Sequence, residues 1–545
     1  MRKKTEHQKP IPPLIYTKGW REPAEYKKQL VPEYQGQPLI EALPLIWSRD
    51  EVTERLSYFP SFSEEQRALP PEVRLHLIEN GREFFIPSGI PLEIEIKISR
   101  MLRRGLIRRN PSLWHYWKEL DGRIAEITRN LQKGMFLQTK ARGFSIVGVG
   151  GMGKSTTVEN ILLQYPQVIT HTKYRGSDFI FNHLVWLKLD CPQDGSARSL
   201  CINFFRAVDE ILRTDYETHY VRERSSVSTL LPQMARVAAL HCIGLLVIDE
   251  IQNLSEAASG GASQLINFFV QLENSIGVPF ILISTNEAKH LFCGKFHHAR
   301  RLSEQGDIIW NPMEEKIRKT SEEIEEERQA NPDKKIELYK VNPVWEEFVR
   351  ALWDYQYVRN PEPLKTDLLN DSLSNTLHKH SFGITALAAA IYILAQGRAI
   401  TKGIETVTTK VIESIAKDSL GLIQEFTERH RLRGDHKVFT LPNSRPTGEP
   451  TSTEILSEHG SAEGDSKSQP TLGSDLTDKE TRHAASPSVP AKKEKSSKKQ
   501  QQSYAEDDIR GLAVGSPIGE SLHKVFEEAG HIRAATEFLN SDTMQ

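Results

Sequence analysis

Cysteine is scarce in this 545-residue chain. There are four, Cys191, Cys201, Cys242 and Cys293, and no two form a CxxC pair. That excludes a disulfide framework and makes a reducing cytoplasm the expected location. No apolar run is long enough to cross a bilayer, so no membrane partner is expected. The leading residues lack the charged-then-apolar pattern of a secretory signal. An excess of one charge is also missing, since 70 Lys and Arg face 72 Asp and Glu, a formal net charge of −2. A globally basic nucleic-acid binder is thereby excluded, and any positive surface for DNA must be local or built by assembly. Residues 441–503 have almost no aromatic side chains among their Ser, Thr, Pro, Gly, Glu and Lys. Such a stretch cannot bury enough apolar surface to fold and reads as a disordered tether.

Against that background one stretch stands out: Gly148, Val149, Gly150, Gly151, Met152, Gly153, Lys154, Ser155 and Thr156. It fits the P-loop pattern of Gly, four residues, then Gly-Lys-Ser/Thr. The glycines at 150, 151 and 153 let the backbone turn its N–H groups inward at phosphate oxygens, where a Cβ would block the approach. Lys154 is placed to reach the β- and γ-phosphates of ATP, and the Ser155 hydroxyl to ligate Mg²⁺. Phe144–Val147 reads as a short buried strand before the loop. The segment up to about Leu163 reads as a helix whose N-terminus faces the phosphates. Strand, loop and helix together argue against a plain Gly-rich surface turn.

The rest of the chain arranges itself around this motif. Residues 1–135 are mostly helical, with loosely ordered first residues. Arg100, Arg103, Arg104, Arg108 and Arg109 lie there as either a solvated face or a surface for DNA or a partner. In Glu93–Ile98 the alternation fits a strand as well as a helix. Residues 136–312 alternate strand and helix, with strands expected at Phe144–Val147, Leu184–Leu189, Leu245–Ile248, Phe280–Ile283 and Ile308–Trp310. Continuous apolar strands with helical crossovers imply an α/β core, a parallel sheet covered on both faces. Residues 313–342 form a charged linker and 343–437 a helical lid. Residues 438–503 are the tether, with a basic run at Ala491–Gln501. Residues 504–545 regain apolar side chains, among them Leu512, Phe526 and Phe538, and read as a partner-binding hook too small for a core of its own.

A P-loop needs a second acidic element, and Leu245-Leu-Val-Ile-Asp249-Glu250 supplies it. A buried strand delivers Asp249 at its C-terminal end, where ligands bind in open α/β sheets. Asp249 is expected to hold Mg²⁺ with Ser155, and Glu250 to orient or deprotonate the attacking water. Thr285 or Asn286, at the end of the strand Phe280–Ile283, is placed to sense the γ-phosphate; a simple helix N-cap is the alternative. Arg300 or Arg301 is a candidate arginine finger for a neighbouring subunit, against solvated or DNA-contacting arginines. His290, Cys293, His297 and His298 share much of one helical face. A zinc site there would draw every ligand from a single helix, with no second Cys/His pair nearby.

The combination resembles TnsC, the AAA+ regulator of Tns-type bacterial transposons, with MuB-like proteins as more distant relatives. The likeness is carried by the P-loop, LLVIDEIQ and the stretch from Gly260-Gly261 through QLINFFVQLENSIGVPFILIST. YPQVITH, LKLDC, LCINFFRAVD, PLIEALP and RRGLIRRNP add to it, and DDIR at Asp507–Arg510 extends it weakly into the tail. The resemblance implies an AAA+ core with a helical lid. It also implies ATP-dependent homo-oligomerisation, as a hexameric ring or helical filament, on double-stranded DNA without sequence preference. The N-terminal part would meet a target selector, either a protein or an RNA-guided, CRISPR-associated complex. The tail would engage transposase subunits. Arg198, Arg222 and Arg224 fall where initiator-type AAA+ proteins carry DNA-facing insertions, with solvent-facing arginine as the alternative for any one of them. One departure is plain: where many AAA+ lids place an arginine, Gly383-Ile384-Thr385-Ala386 has none, leaving Thr385 as a weaker substitute. Two other readings remain. A STAND-type signalling ATPase would carry a repeat array after residue 343, and no repeat period is found there. A replication initiator or loader would carry a helix-turn-helix or winged module where residues 431–545 offer a tether.

Overall fold

The five apolar runs around the P-loop assemble into one sheet. In the computed structural model, described for residues 18–87, 89–133, 143–255, 261–288, 306–330 and 337–419, the strands are as follows. β1 is Arg21–Pro23, β2 Gly143–Gly148, β3 Val168–Tyr174, β4 Ser177–Leu184 and β5 Trp186–Asp190. β6 is Leu245–Asp249, β7 Phe280–Ser284, β8 Ile308–Trp310, β9 Lys316–Arg318 and β10 Tyr339–Val341. The central sheet runs β5-β6-β7-β2-β8 with every pairing parallel. Every residue of β2, β6 and β7 is buried. Near-continuous apolar strands are what a sheet covered on both faces requires. The helices Lys154–Leu162, Ala197–Leu212, Val227–Leu240 and Gly261–Gln271 alternate with these strands. The expected α/β core with helices on both faces is therefore found. Leu184 ends β4 rather than opening the next strand.

A second sheet, β1-β3-β4, was not foreseen in the sequence pattern. β3 and β4 form an antiparallel hairpin whose turn, Arg175-Gly176, has both residues at positive φ. That suits a primed hairpin turn. The charged stretch 313–342 contains β9 and β10, paired antiparallel, and an exposed helix Ser321–Ala330 with no buried residue. Beyond it come four helices, Pro343–Asp354, Ser372–Ser381, Thr385–Thr401 and Thr409–Ser419, around their own apolar cluster. The tether at 438–503, the hook at 504–545 and the zinc-like cluster at 290–298 lie outside the described residues.

The N-terminal helices join both halves. Ile90–Leu106 is one continuous helix, so the ambiguity at Glu93–Ile98 resolves as helical. Ile94, Ile98, Met101 and Leu102, at helical spacing, are fully buried against the core. Arg100, Arg104 and Arg108 are exposed, as a charge run usually is. Arg103 and Arg109 are not: each is buried and spends its donors on carbonyls, Arg103 on Ser99 and Pro44, Arg109 on Gly105 and Ile243. They staple the helix rather than face DNA or solvent. Residues 62–86 turn instead to the helices of 343–419. Phe62 lies against Tyr355 and Tyr357, and Phe84 stacks on Tyr355.

Arg74, wholly buried, donates twice to the Glu405 carboxylate at 2.7 Å and once to the Tyr357 carbonyl. Those bonds hold Glu405 below its ordinary value of 4.5 and raise Arg74 further. Removing one partner of such a pair strands the other charge, so Glu405→Gln is expected to lower stability by about 3 kcal/mol at pH 7. The lowered carboxyl contributes fully above pH 4.5 and loses its contribution as the pH falls through its folded value. Urea denaturation at pH 7 and pH 3.5 tests this, the gap between variant and parent narrowing at the lower pH.

Candidate functional site

The end of β2 opens directly into the glycine loop. Gly151 and Gly153 sit at φ 80° and 86°, a region L side chains rarely adopt, and Gly153 caps the helix Lys154–Leu162. The loop N–H groups and the helix N-terminus thus face the C-terminal edge of the sheet, a ready anion cradle. Lys154 is buried, and its ammonium donates to the carbonyls of Gly148 and Val149, both at 2.9 Å. Burial pulls its pKa down, opposed by the charges of Asp249 and Glu250. Ser155 is half-buried and Thr156 exposed, one turn into the same mouth.

The acids arrive from the neighbouring strand but one. Asp249 ends β6 and is 3% exposed. One carboxylate oxygen accepts from the Glu250 N–H at 2.8 Å, and the other pairs with the Lys188 ammonium at 3.2 Å. Lys188, on β5, also holds Glu159 at 2.8 Å and Asp190 at 3.0 Å. Burial works against its charge, yet the bonds to Glu159 and Asp190 and the charge of Asp249 push its pKa well above the ordinary lysine range. Glu250 is exposed and adopts φ 56°, a left-handed conformation that costs a non-glycine residue on the order of 1 kcal/mol.

At the end of β7, the Thr285 N–H donates to the Gln252 side-chain oxygen at 3.1 Å, and its hydroxyl reaches Glu287 at 3.4 Å. Asn286 buries a side-chain oxygen with no hydrogen-bond partner among the described residues. From the start of the helix Thr385–Thr401, the Thr385 hydroxyl and the Ala386 N–H both donate to the Gly151 carbonyl at 3.1 Å. Thr385 thus touches the P-loop itself. Beside this contact lies a cavity of about 560 Å³, lined by Ile86, Pro91, Met152, Trp310, Met313 and Phe348 among others. Its size and apolar walls suit a small ligand such as a nucleoside.

The structure therefore brings together Gly148 to Thr156, Asp249, Glu250, Thr285 and Asn286. Arg300 and Arg301 lie outside the described residues. Arg198, Arg222 and Arg224 sit apart from one another in role. The Arg198 guanidinium donates to the carbonyls of Arg222, Glu223 and Ser225 and so holds that loop, while Arg222 and Arg224 are exposed on it. Sequence reasoning missed Lys188 and Gln252. A lysine within the apolar LKLDC strand was the available signal for the first.

The donor set suits a nucleoside triphosphate with a divalent metal ion. Lys154 and the loop amides would meet phosphates, and Ser155 with Asp249 would offer hard oxygen ligands. The metal, when bound, neutralises phosphate charge. Glu250, exposed beside Asp249, carries a carboxylate of the kind that can accept a proton from water.

The protein family described as "AAA domain" matches residues 138–292, the span from before β2 to just past β7. The chain thus carries an AAA-family ATPase domain, with a helical N-terminal region. No curated protein matches the chain. Solved structures similar to it include the Orc1 protein of Aeropyrum pernix in complex with DNA. That chain is 15% identical with a TM-score of 0.29, the match covering 56% of this chain and 64% of that one. A Walker-type ATPase of Pyrococcus abyssi is 13% identical with a TM-score of 0.29, covering 57% and 76%. The chain spans less than two thirds of the Orc1 chain.

Replacing the Glu250 carboxylate while keeping its shape separates binding from turnover. Glu250→Gln is expected to bind ATP as the parent does and to hydrolyse it about 10²-fold or more slowly. Phosphate release in single-turnover reactions, beside equilibrium nucleotide binding, checks it; parental turnover removes Glu250 from the role of base.

Proposed function

We propose that this chain is an ATP-driven switch that regulates DNA transposition. It hydrolyses ATP to ADP and phosphate with Mg²⁺, and the ATP-bound form assembles as a ring or filament on double-stranded DNA. The assembly links a target-site selector to the transposase, and hydrolysis takes it apart. Gly148 to Thr156 hold the phosphates, Ser155 and Asp249 the metal ion, and Glu250 activates water. Thr285 or Asn286 senses the γ-phosphate, and Arg300 or Arg301 serves the neighbouring subunit's site. Arg222 and Arg224, on the loop held by Arg198, meet the DNA backbone. Residues 1–135 meet the selector, and 504–545, on the tether 438–503, capture transposase at a distance.

The observation that carries the switch reading is the lid's hold on the Gly151 carbonyl. Nucleotide state and lid position share one peptide, as a timer needs. The transposition part rests on the sequence resemblance to TnsC, from the P-loop through LLVIDEIQ to FILIST. A chain of net charge −2 still binds DNA when each subunit contributes a few cations along the backbone.

Two outcomes are expected. DNA binding in the presence of a non-hydrolysable ATP analogue should ignore sequence, and log K should fall linearly with log salt. Fluorescence anisotropy on scrambled duplexes measures it; strong preference for one duplex favours an initiator instead. Deleting residues 504–545 should leave ATP turnover and DNA binding intact and abolish capture of transposase. Retained capture in a pull-down rejects the hook.

A further inference from the structure

The short 3₁₀ turn after β6, Ile251–Ser255, ties three strand ends together at the site. The Asn253 side-chain amide donates to the Cys191 carbonyl just past β5, at 3.0 Å. The Cys191 N–H donates in turn to the Asp249 carbonyl at 2.8 Å. The Asn253 N–H closes the turn on the Glu250 carbonyl at 3.0 Å. On the other side, Gln252 accepts from the Thr285 N–H at the end of β7 and donates its amide N–H to the Glu250 carboxylate. The first set of bonds fixes backbone. Only the Gln252 link, among the described residues, ends on the carboxylate of the base.

The chemistry of that link is specific. A peptide N–H can only donate and a carboxylate only accept, so the bridging side chain must offer an acceptor at one end and a donor at the other. A primary amide does both without charge. The two partners also fix which end of the amide is oxygen. Glu250 needs such a hold. It is exposed, so its carboxylate is otherwise free to sample rotamers, and its backbone is already committed to the left-handed region.

We propose that Gln252 is a positioning residue that aims the Glu250 carboxylate from the end of β7. This rests on the reading of the site as an ATPase. Thr285 and Asn286 follow β7 directly, so any shift that a bound phosphate imposes on the Thr285 peptide passes through one rigid amide to the base. The coupling runs within one subunit and does not need the lid.

The test uses the full chain and three variants. Gln252→Met keeps the length and removes both bonds. Gln252→Glu keeps the acceptor for Thr285 but replaces the donor with a carboxylate that repels Glu250. Glu250→Gln runs beside them as the reference for lost chemistry. Both Gln252 variants are expected to lower kcat about 10- to 100-fold, with the dissociation constant for ATP and the thermal midpoint unchanged. A KM that stays level while kcat falls is the signature of misplacement. Parental kcat in Gln252→Glu, with Glu250→Gln inactive, overturns the proposal and leaves the ATPase reading standing. Loss of ATP affinity and thermal midpoint together with kcat in both variants also overturns it, since Gln252 is then a structural residue. Parental turnover in Glu250→Gln overturns the ATPase reading instead.

Discussion

A parallel sheet covered on both faces leaves only its strand ends free to meet a polar ligand. That constraint organises this molecule. Along β2, β6 and β7 the strands pair in the ladder and every residue is buried. The chain can place charge only where the ladder stops. It does so at one edge, with the glycine loop after β2, Asp249 and Glu250 after β6, and Thr285 and Asn286 after β7. Lys188 sits near the same edge on β5. The parallel register sets these groups at one height, Asp190 opposite Asp249 and Val147 opposite Ser284. The site is a by-product of covering the sheet, sharpened by a few bonds among groups already gathered.

Those bonds hold the charges in balance. Lys188 answers three carboxylates, Glu159, Asp190 and Asp249. Lys154 turns back onto two loop carbonyls. Buried charge is tolerated only when paired or hydrogen-bonded. The same rule operates far from the site. Arg74, Arg103 and Arg109 are buried, and each spends most of its donors on carbonyls or a carboxylate.

The central sheet was readable in the sequence because its strands are mostly apolar runs separated by helical segments. The P-loop and Asp249-Glu250 were readable because their chemistry is local to a few consecutive residues. What escaped is what depends on distant partners. β1 is three exposed residues whose pairing partner, β3, lies far along the chain. The β3–β4 hairpin turns on Arg175-Gly176, without the Asn-Gly signal that marks such turns. Arg103 and Arg109 look like their exposed neighbours until the packing of the helix is known. Gln252 reads as a surface residue, since its partner Thr285 is 33 positions on. The lid's contact with Gly151 spans 234 positions, so Thr385 could be suspected but not placed.

The lid helix Thr385–Thr401 is held at both ends. Its first turn rests on the P-loop at Gly151, and just past its last turn Glu405 is clamped by Arg74 of the N-terminal helices. Seventeen residues of helix make a stiff rod about 25 Å long. Between two anchored ends such a rod behaves as a strut. It cannot tilt at the loop without levering the segment that holds its far end. A displacement at the Gly151 contact would therefore be felt at the Arg74–Glu405 clamp, a helix length away.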